Sequence, residues 1–579
     1  MIGSTLAMAL LLAAPDAARA SAADARFRQV SEAEYAWRKT LNGPEEDAPA
    51  SKRATLPDVG PAAQAARLKR WTETIAALDA IDPQKLSPGA RADYVVYRAQ
   101  VEARLADQRF REYEKPLTAD TSFWMGIAGM PRETYRDEPA LRRYLSQLAS
   151  LPRYYDQQIA NMRAGLKRGF TLPRITLQGR DAGVEQVVKA GDGEDSPFYA
   201  PFRTLPATIP AARQAALRAE ARRVIAAAVV PAHATLLAFL RDEYIPGART
   251  TLAAYDLPDG RAYYQAKIRE FVTRDMTAEQ IHALGLSEVA KIRARMQQVM
   301  RQVQWQGDLP SFLAHLRTDP QFYARTPQDL LNRAAWIAKT FDGKSGDWFG
   351  RLPRQRFAIR PVPADVAPFY TSGRGGPGVY LVNTYDLPSR ALYSLPGLTL
   401  HESAPGHAFQ MPFAAELTDL PAYRRDEYLS AYGEGWALYC EALGEDMGMY
   451  ETPYDVFGML SYQMWRAARL VVDTGVHARG WSREQAQAFL RDNTALSNHE
   501  ITTEVDRYIA WPGQALSYYM GELAFLDARA RAQKALGERF DIRAFHDAML
   551  SLGSVPLPLI DQRAAQFIAD KGKGPYPLP

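Results

Sequence analysis

Apolar residues recur at three- and four-residue spacing over Arg67 to Leu78, Ala90 to Leu105, Pro139 to Leu166 and Pro210 to Leu240, which predicts amphipathic helices. Pro210 suits a first helical turn, and Pro231 should kink or divide the last helix. Thr277 and Gln280 form a capping-box pattern opening a helix from Ile281 to Val303, and Leu330 to Phe341 continues the series. The pattern then changes. Arg356 to Pro363 alternates between prolines and predicts a short edge strand. Gly378 to Tyr385 is β-branched and aromatic and predicts a second strand, able to take an extended peptide along its edge or to support the helix that follows. After Pro396 the helical pattern runs to the end. The expected fold is mainly α, with one small sheet just ahead of a histidine pair. Gly373 to Gly378 fits G-x-G-x-x-G but precedes a strand, where a dinucleotide fingerprint follows one, so it reads as a flexible glycine-rich loop. Residues 41–62, rich in Gly, Pro, Ala and acids, also read as loop.

Leu6 to Ala14 is a run of nine apolar residues, too short to span a bilayer, and Ala18-Arg19-Ala20 precedes Ser21. This predicts a secretory signal over 1–20, with 21–579 forming a single helical unit that is periplasmic or secreted. No cysteine lies near the cut, which argues against lipid attachment. No later apolar run approaches eighteen residues, so no membrane insertion is expected. The 70 basic and 66 acidic side chains nearly balance, and the basic ones form no long run, so a nucleic-acid partner is not expected. The single cysteine, Cys440, excludes an internal disulfide and a cysteine-based zinc cluster, and reads as core packing.

Two of the eight histidines fall in Leu400-His401-Glu402-Ser403-Ala404-Pro405-Gly406-His407. A glutamate directly after one histidine, with another close behind, is the pattern of zinc hydrolases: two neutral imidazoles bind the metal and the glutamate activates water. The usual interval is four residues. Here it is six, which on an ideal helix leaves the histidines about 120° apart. Pro405 and Gly406 can supply a bulge or break that returns His407 to His401. Downstream, Glu434 and Glu441 are two turns apart on an apolar helix, and a buried carboxylate needs a partner. Glu434, at the helix start, reads as the third ligand. Glu441 reads as a carboxylate orienting a ligand imidazole, or as an ion-pair partner.

Glu504, Arg507 and Tyr508 share one helix face, and Pro512-Gly513 separates them from Gln514 and Tyr518. Tyr518 is the expected donor to a developing oxyanion. Arg507 reads as a clamp for a substrate carboxylate or as a partner of Glu504, with Gln514 beside it and Tyr508 and Tyr519 as packing residues. Asp473 and His477 form either a coupled pair near the cleft or a lock between helices. His233, His282, His315, His499 and His546 read as structural.

The two windows 400–407 and 434–441 resemble the bacterial family catalogued as domain of unknown function 885. Val472 to Trp481, Glu504 to Tyr518, Leu257 to Tyr264 and Ile281 to Val289 resemble it too, so the likeness spans nearly all of the mature chain. That family is distantly similar to helical zinc peptidases such as angiotensin-converting enzyme and the thimet-type oligopeptidases. The resemblance implies a zincin-like fold of two helical lobes around a deep cleft, one Zn²⁺ per chain on His401, His407 and Glu434, and Glu402 as general base. The expected activity is a zinc-dependent peptidase acting on short peptides. A catalytically silent peptide-binding protein of the same fold, or a hydrolase of non-peptide amides or esters, are the alternatives.

Overall fold

The computed structural model describes residues 21–41, 54–118, 121–364 and 367–576. The expected signal, and most of the loop expected over 41–62, lie outside these residues. The amphipathic helices form as their spacing requires, and the described chain is mainly α-helical. Helices Ala22–Arg38, Pro61–Asp79 and Pro88–Phe110 enclose a small core of Phe27, Trp71, Tyr97 and Val101. A second core lies between Glu138–Ala149, Leu151–Lys167 and the long helical run from Ala211 to Gly247. The pattern read over Pro139 to Leu166 is therefore two helices, parted at Ser150 because Pro152 suits a first turn. Pro231 does not break its helix. The preceding turn, Ile225–Val229, widens to a π-helix and makes room for the ring and the missing N–H. By length and composition alone this run is long and apolar enough to cross a membrane, although no apolar run near eighteen residues was expected. Half of its most apolar window is buried among the neighbouring helices.

The largest core is built from the carboxy-terminal half. Helix α1 (Ala278–Gln302) opens with the expected capping box of Thr277 and Gln280. The sheet follows, in the order β1 (Ala358–Pro361), β3 (Val379–Val382), β2 (Gly373–Gly376), with β1 parallel and β2 antiparallel to β3. β1 is an edge strand, as expected. The glycine-rich segment read as a loop is instead β2, and it gives the sheet its other edge. Glycine is a packing requirement at Gly375, since a Cβ there would lie 1.7 Å from the carbonyl oxygen of Glu402. Pairing on both sides of β3 also removes strand addition to it, leaving the sheet edges to β1 and β2.

Five helices then assemble the site: α2 (Leu395–Glu402), α3 (His407–Ala415), α4 (Ser430–Asp446), α5 (Pro453–Arg479) and, after a short helix, α6 (Asn498–Ala510). A sixth, α7 (Ser517–Leu536), runs along α4. There Gly435 meets Gly521 backbone to backbone, and a Cβ on Gly435 would come within 2.3 Å of the Gly521 Cα. This close approach holds Glu434 firmly on a buried helix.

Candidate metal centre

Helix α2 is buried through its last histidine and ends at Glu402. The chain then turns sharply through Ser403 to Gly406, with the Gly406 N–H donating to Leu400 O at 3.0 Å, and α3 begins at His407. Of the expected bulge or break, the chain makes a full break between two helices. Gly406 is required there because a Cβ would stand 1.9 Å from the His401 carbonyl oxygen. Trp436 braces the turn from α4 by donating its indole N–H to Pro405 O at 2.9 Å. The two imidazole centroids end 4.9 Å apart.

Glu434 lies between them. Its Oε2 is 3.5 Å from His401 Nε2 and 3.4 Å from His407 Nε2. An ion bound at about 2.1 Å by tetrahedral ligands sets neighbouring ligand atoms about 3.4 Å apart, so this spacing fits Zn²⁺. His401 presents Nε2 because its Nδ1 lies 2.7 Å from Glu441 Oε1. Glu441 is fully buried and also has the Arg466 guanidinium 3.6 Å away. Burial alone would lower the His401 pKa, but Glu434, Glu441 and Glu402 outweigh it and push it up to about 9. Glu434, despite burial, is held well below the usual carboxylate range by the two imidazoles. Three carboxylates around two imidazoles favour a cation at their centre.

Glu402 also brings a carboxylate oxygen within 4.8 Å of the histidine nitrogens. Glu434 is the carboxylate set between both rings, whereas Glu402 Oε2 accepts the Gly375 N–H at 2.6 Å. That bond fixes Glu402 beside the cluster and leaves its other oxygen for a proton. Strand β2, expected as a loop, is what positions it.

Tyr428 was also missed. It lies in the loop before α4, packs over Gly433, faces His407 at 6.3 Å between ring centroids and remains 39 % exposed. Burial of its phenol and the nearby Glu434, Tyr518 and Glu402 raise its pKa well above the usual value, so the hydroxyl keeps its proton. Gly433 is the one sequence signal, since a Cβ there would overlap the Tyr428 ring at 2.1 Å.

Tyr518 is buried, with the Arg469 guanidinium 4.2 Å over its ring. Its hydroxyl is engaged by Arg507 Nη2 at 3.2 Å and Gln514 Nε2 at 3.5 Å, and the same arginine amino group reaches Gln514 Oε1 at 3.2 Å. Arg507, Gln514 and Tyr518 therefore form one cluster, which meets the metal-type cluster at Tyr428. Arg507 does approach Glu504, but only at 3.8 Å; the nearer partner of Glu504 is Arg469 at 2.7 Å. Tyr508 is packed, its hydroxyl taking bonds from Trp465 and Arg469.

Asp473 and His477 lock helices. Asp473 accepts from Tyr264 and the Gly513 N–H, while His477 accepts from the Ala254 N–H and donates to Tyr508 O. His233, His282 and His546 are buried and hydrogen-bonded to neighbouring chain segments. Cys440 is fully buried, as its packing role requires.

Residues 38–563 match the model of a family described as bacterial proteins of unknown function, DUF885. None of the curated proteins matches the chain. Two solved structures share its fold, each described as a "putative lipoprotein". The one from Colwellia psychrerythraea has 23% identity and a TM-score of 0.86, covering 95% of this chain and 99% of its own. The other, from Shewanella oneidensis and described as of unknown function, has 19% identity and a TM-score of 0.71, covering 93% and 99%.

Proposed function

This chain belongs to the DUF885 family, and we propose that it is a zinc-dependent peptidase hydrolysing amide bonds of short peptides outside the cytoplasm. The observation that carries the reading is the placement of Glu434 Oε2 at 3.4 and 3.5 Å from two imidazole nitrogens, one of them oriented by buried Glu441. His401, His407 and Glu434 would hold the ion, and Glu441 keeps the His401 ring in the tautomer that presents Nε2. Zn²⁺, when bound, polarises the substrate carbonyl and acidifies water.

The protein supplies the rest. Glu402, tied to Gly375 through one oxygen, takes the proton of the attacking water on the other and delivers it to the departing amine. One water is consumed, the C–N bond breaks, and a carboxylic acid and an amine result. Charge developing on the carbonyl oxygen needs a neutral donor. Tyr428 meets this need from beside Glu434, with Tyr518 behind it as part of the Arg507 and Gln514 cluster. An intact histidine–glutamate dipeptide favours turnover over silent binding, because binding needs no base beside the metal. The apolar segment at 6–14 and the lipoprotein descriptions of the two similar structures support a site of action beyond the cytoplasm.

Digestion of a short-peptide mixture tests the proposal. Cleavage should stop on chelation and return with Zn²⁺. Cleavage untouched by chelation, or none at full zinc loading, would remove it.

A further inference from the structure

A cavity of about 230 Å³ lies beside α2, bounded by Leu395 and Leu398 of that helix, by Ser372 at the head of β2 and by Glu500 in the first turn of α6. Two arginines line it, Arg317 and Arg390, against the single carboxylate of Glu500. The net charge of the lining is therefore +2 − 1 = +1.

Neither guanidinium is fully used. Arg390 is 9 % exposed. Its Nη1 reaches Ser372 Oγ at 3.1 Å and Glu500 Oε1 at 3.4 Å, while its buried Nε has no hydrogen-bond partner among the described residues. Glu500 is itself shared out. Ser372 Oγ donates to Oε1 at 2.9 Å, and the Ser497 N–H and hydroxyl both donate to Oε2 at 3.0 Å. Among the described residues Arg317 donates to main-chain carbonyls, through Nε to Leu496 O at 3.0 Å and through Nη2 to Thr494 O at 2.6 Å and Arg491 O at 3.4 Å. Carbonyls carry no net charge, so this part-buried cation has no paired carboxylate among the described residues. Burial lowers its pKa, yet a guanidinium stays protonated in any protein environment. An anion in the cavity would satisfy it by a charge-assisted bond.

The cavity and the candidate centre share α2 and the β2 segment. Leu398 precedes Glu402 by one helical turn, about 6 Å, and Leu395 precedes it by about 10 Å. Along β2, Ser372 is three residues from Gly375, the donor to Glu402, again about 10 Å. Extended peptide advances about 3.3–3.6 Å per residue. A substrate with its scissile bond at Glu402 therefore reaches the cavity two or three residues further along. An ammonium arriving there would meet net positive charge; a carboxylate would be drawn in.

We propose that this cavity receives the C-terminal carboxylate of the peptide, so that the protein releases short carboxy-terminal fragments. The inference rests on the peptidase reading above. It is tested with pentaalanine as the free acid, as the C-terminal amide, and as amides carrying glutamate at the fourth or fifth position. Binding is measured to the zinc-loaded Glu402→Gln variant and hydrolysis with the parent protein. The amide should bind about 10-fold or more weakly than the acid. Arg317→Met should abolish the difference while leaving amide binding unchanged, and Arg317→Lys should restore part of it. Equal binding of acid and amide by the parent site, or a preference that survives in Arg317→Met, would overturn the proposal. A glutamyl amide that binds as tightly as the free acid would overturn the C-terminal assignment in favour of an acidic side chain. Discrimination in binding without hydrolysis by the parent would remove the peptidase reading and keep the carboxylate site. Hydrolysis without discrimination would do the reverse.

Discussion

His401 Nδ1 lies 2.7 Å from Glu441 Oε1, and neither side chain is open to solvent. The pair sets which nitrogen of His401 faces Glu434 and His407, and it links α2 to α4 through the centre of the proposed site. Glu441→Ala should weaken Zn²⁺ binding by about 10–100-fold, read by competition with a chromogenic chelator. Glu441→Gln, which keeps an acceptor for the Nδ1–H, should lose less. Unchanged affinity in both would show that the imidazole is oriented by packing alone.

Glu402 is proposed as the base, separate from metal retention. Glu402→Gln should keep bound zinc and lower kcat by roughly 10³-fold or more. Loss of zinc from this variant would instead make Glu402 a ligand.

The two tyrosines are distinguished by their surroundings. Tyr428 is part-exposed beside Glu434, whereas the Tyr518 hydroxyl is shared between Arg507 and Gln514. Tyr428→Phe should lower kcat by about 10²-fold or more with metal content unchanged. Tyr518→Phe should have the smaller effect on kcat. The opposite order would return the oxyanion role to Tyr518.

Buried histidines set a pH dependence of stability. Burial pushes His233 down to about 4 and His477 and His546 down to about 3. Between those values and the unfolded value of about 6.5, only the unfolded chain binds these protons, so their contribution to stability rises with pH across this window. Asp473, pushed up to about 7 by burial, acts in the opposite direction between about 4 and 7. Glu270, Asp547 and Glu522, also pushed up by burial, act as Asp473 does, so the individual groups and not the net slope are diagnostic. In chemical denaturation from pH 4.5 to 6.5, His546→Gln should lower the slope of stability against pH by about one proton, and Asp473→Asn should raise it. A slope unaltered by His546→Gln would mean that this histidine is not held neutral.

What the sequence disclosed follows from the kind of signal each residue carries. His401, Glu402 and His407 were legible because metal chemistry restricts the residue types, and Glu434 and Glu441 because carboxylates on an apolar helix need partners. The break at Pro405-Gly406 was legible as a backbone problem, because a six-residue interval cannot keep both histidines on one face of an unbroken helix. Strand β2 was not legible, since Gly373 to Gly376 offers no alternating side chains, and the close approach to Glu402 that requires Gly375 is made by a segment remote in sequence. Tyr428 was hidden in a loop, with only the space left by Gly433 to mark it. The cavity of Arg317, Arg390 and Glu500 joins three distant segments, which no local spacing could bring together.

The central claim is that His401, His407 and Glu434 together hold one zinc ion. Metal analysis of the purified protein after zinc loading and dialysis, beside His401→Ala, His407→Ala and Glu434→Ala, tests it most directly. The account predicts about one Zn²⁺ per chain in the parent protein and severe loss in all three variants, with helical content retained. Full zinc occupancy in the three variants, or no zinc retained by the folded parent, would contradict it.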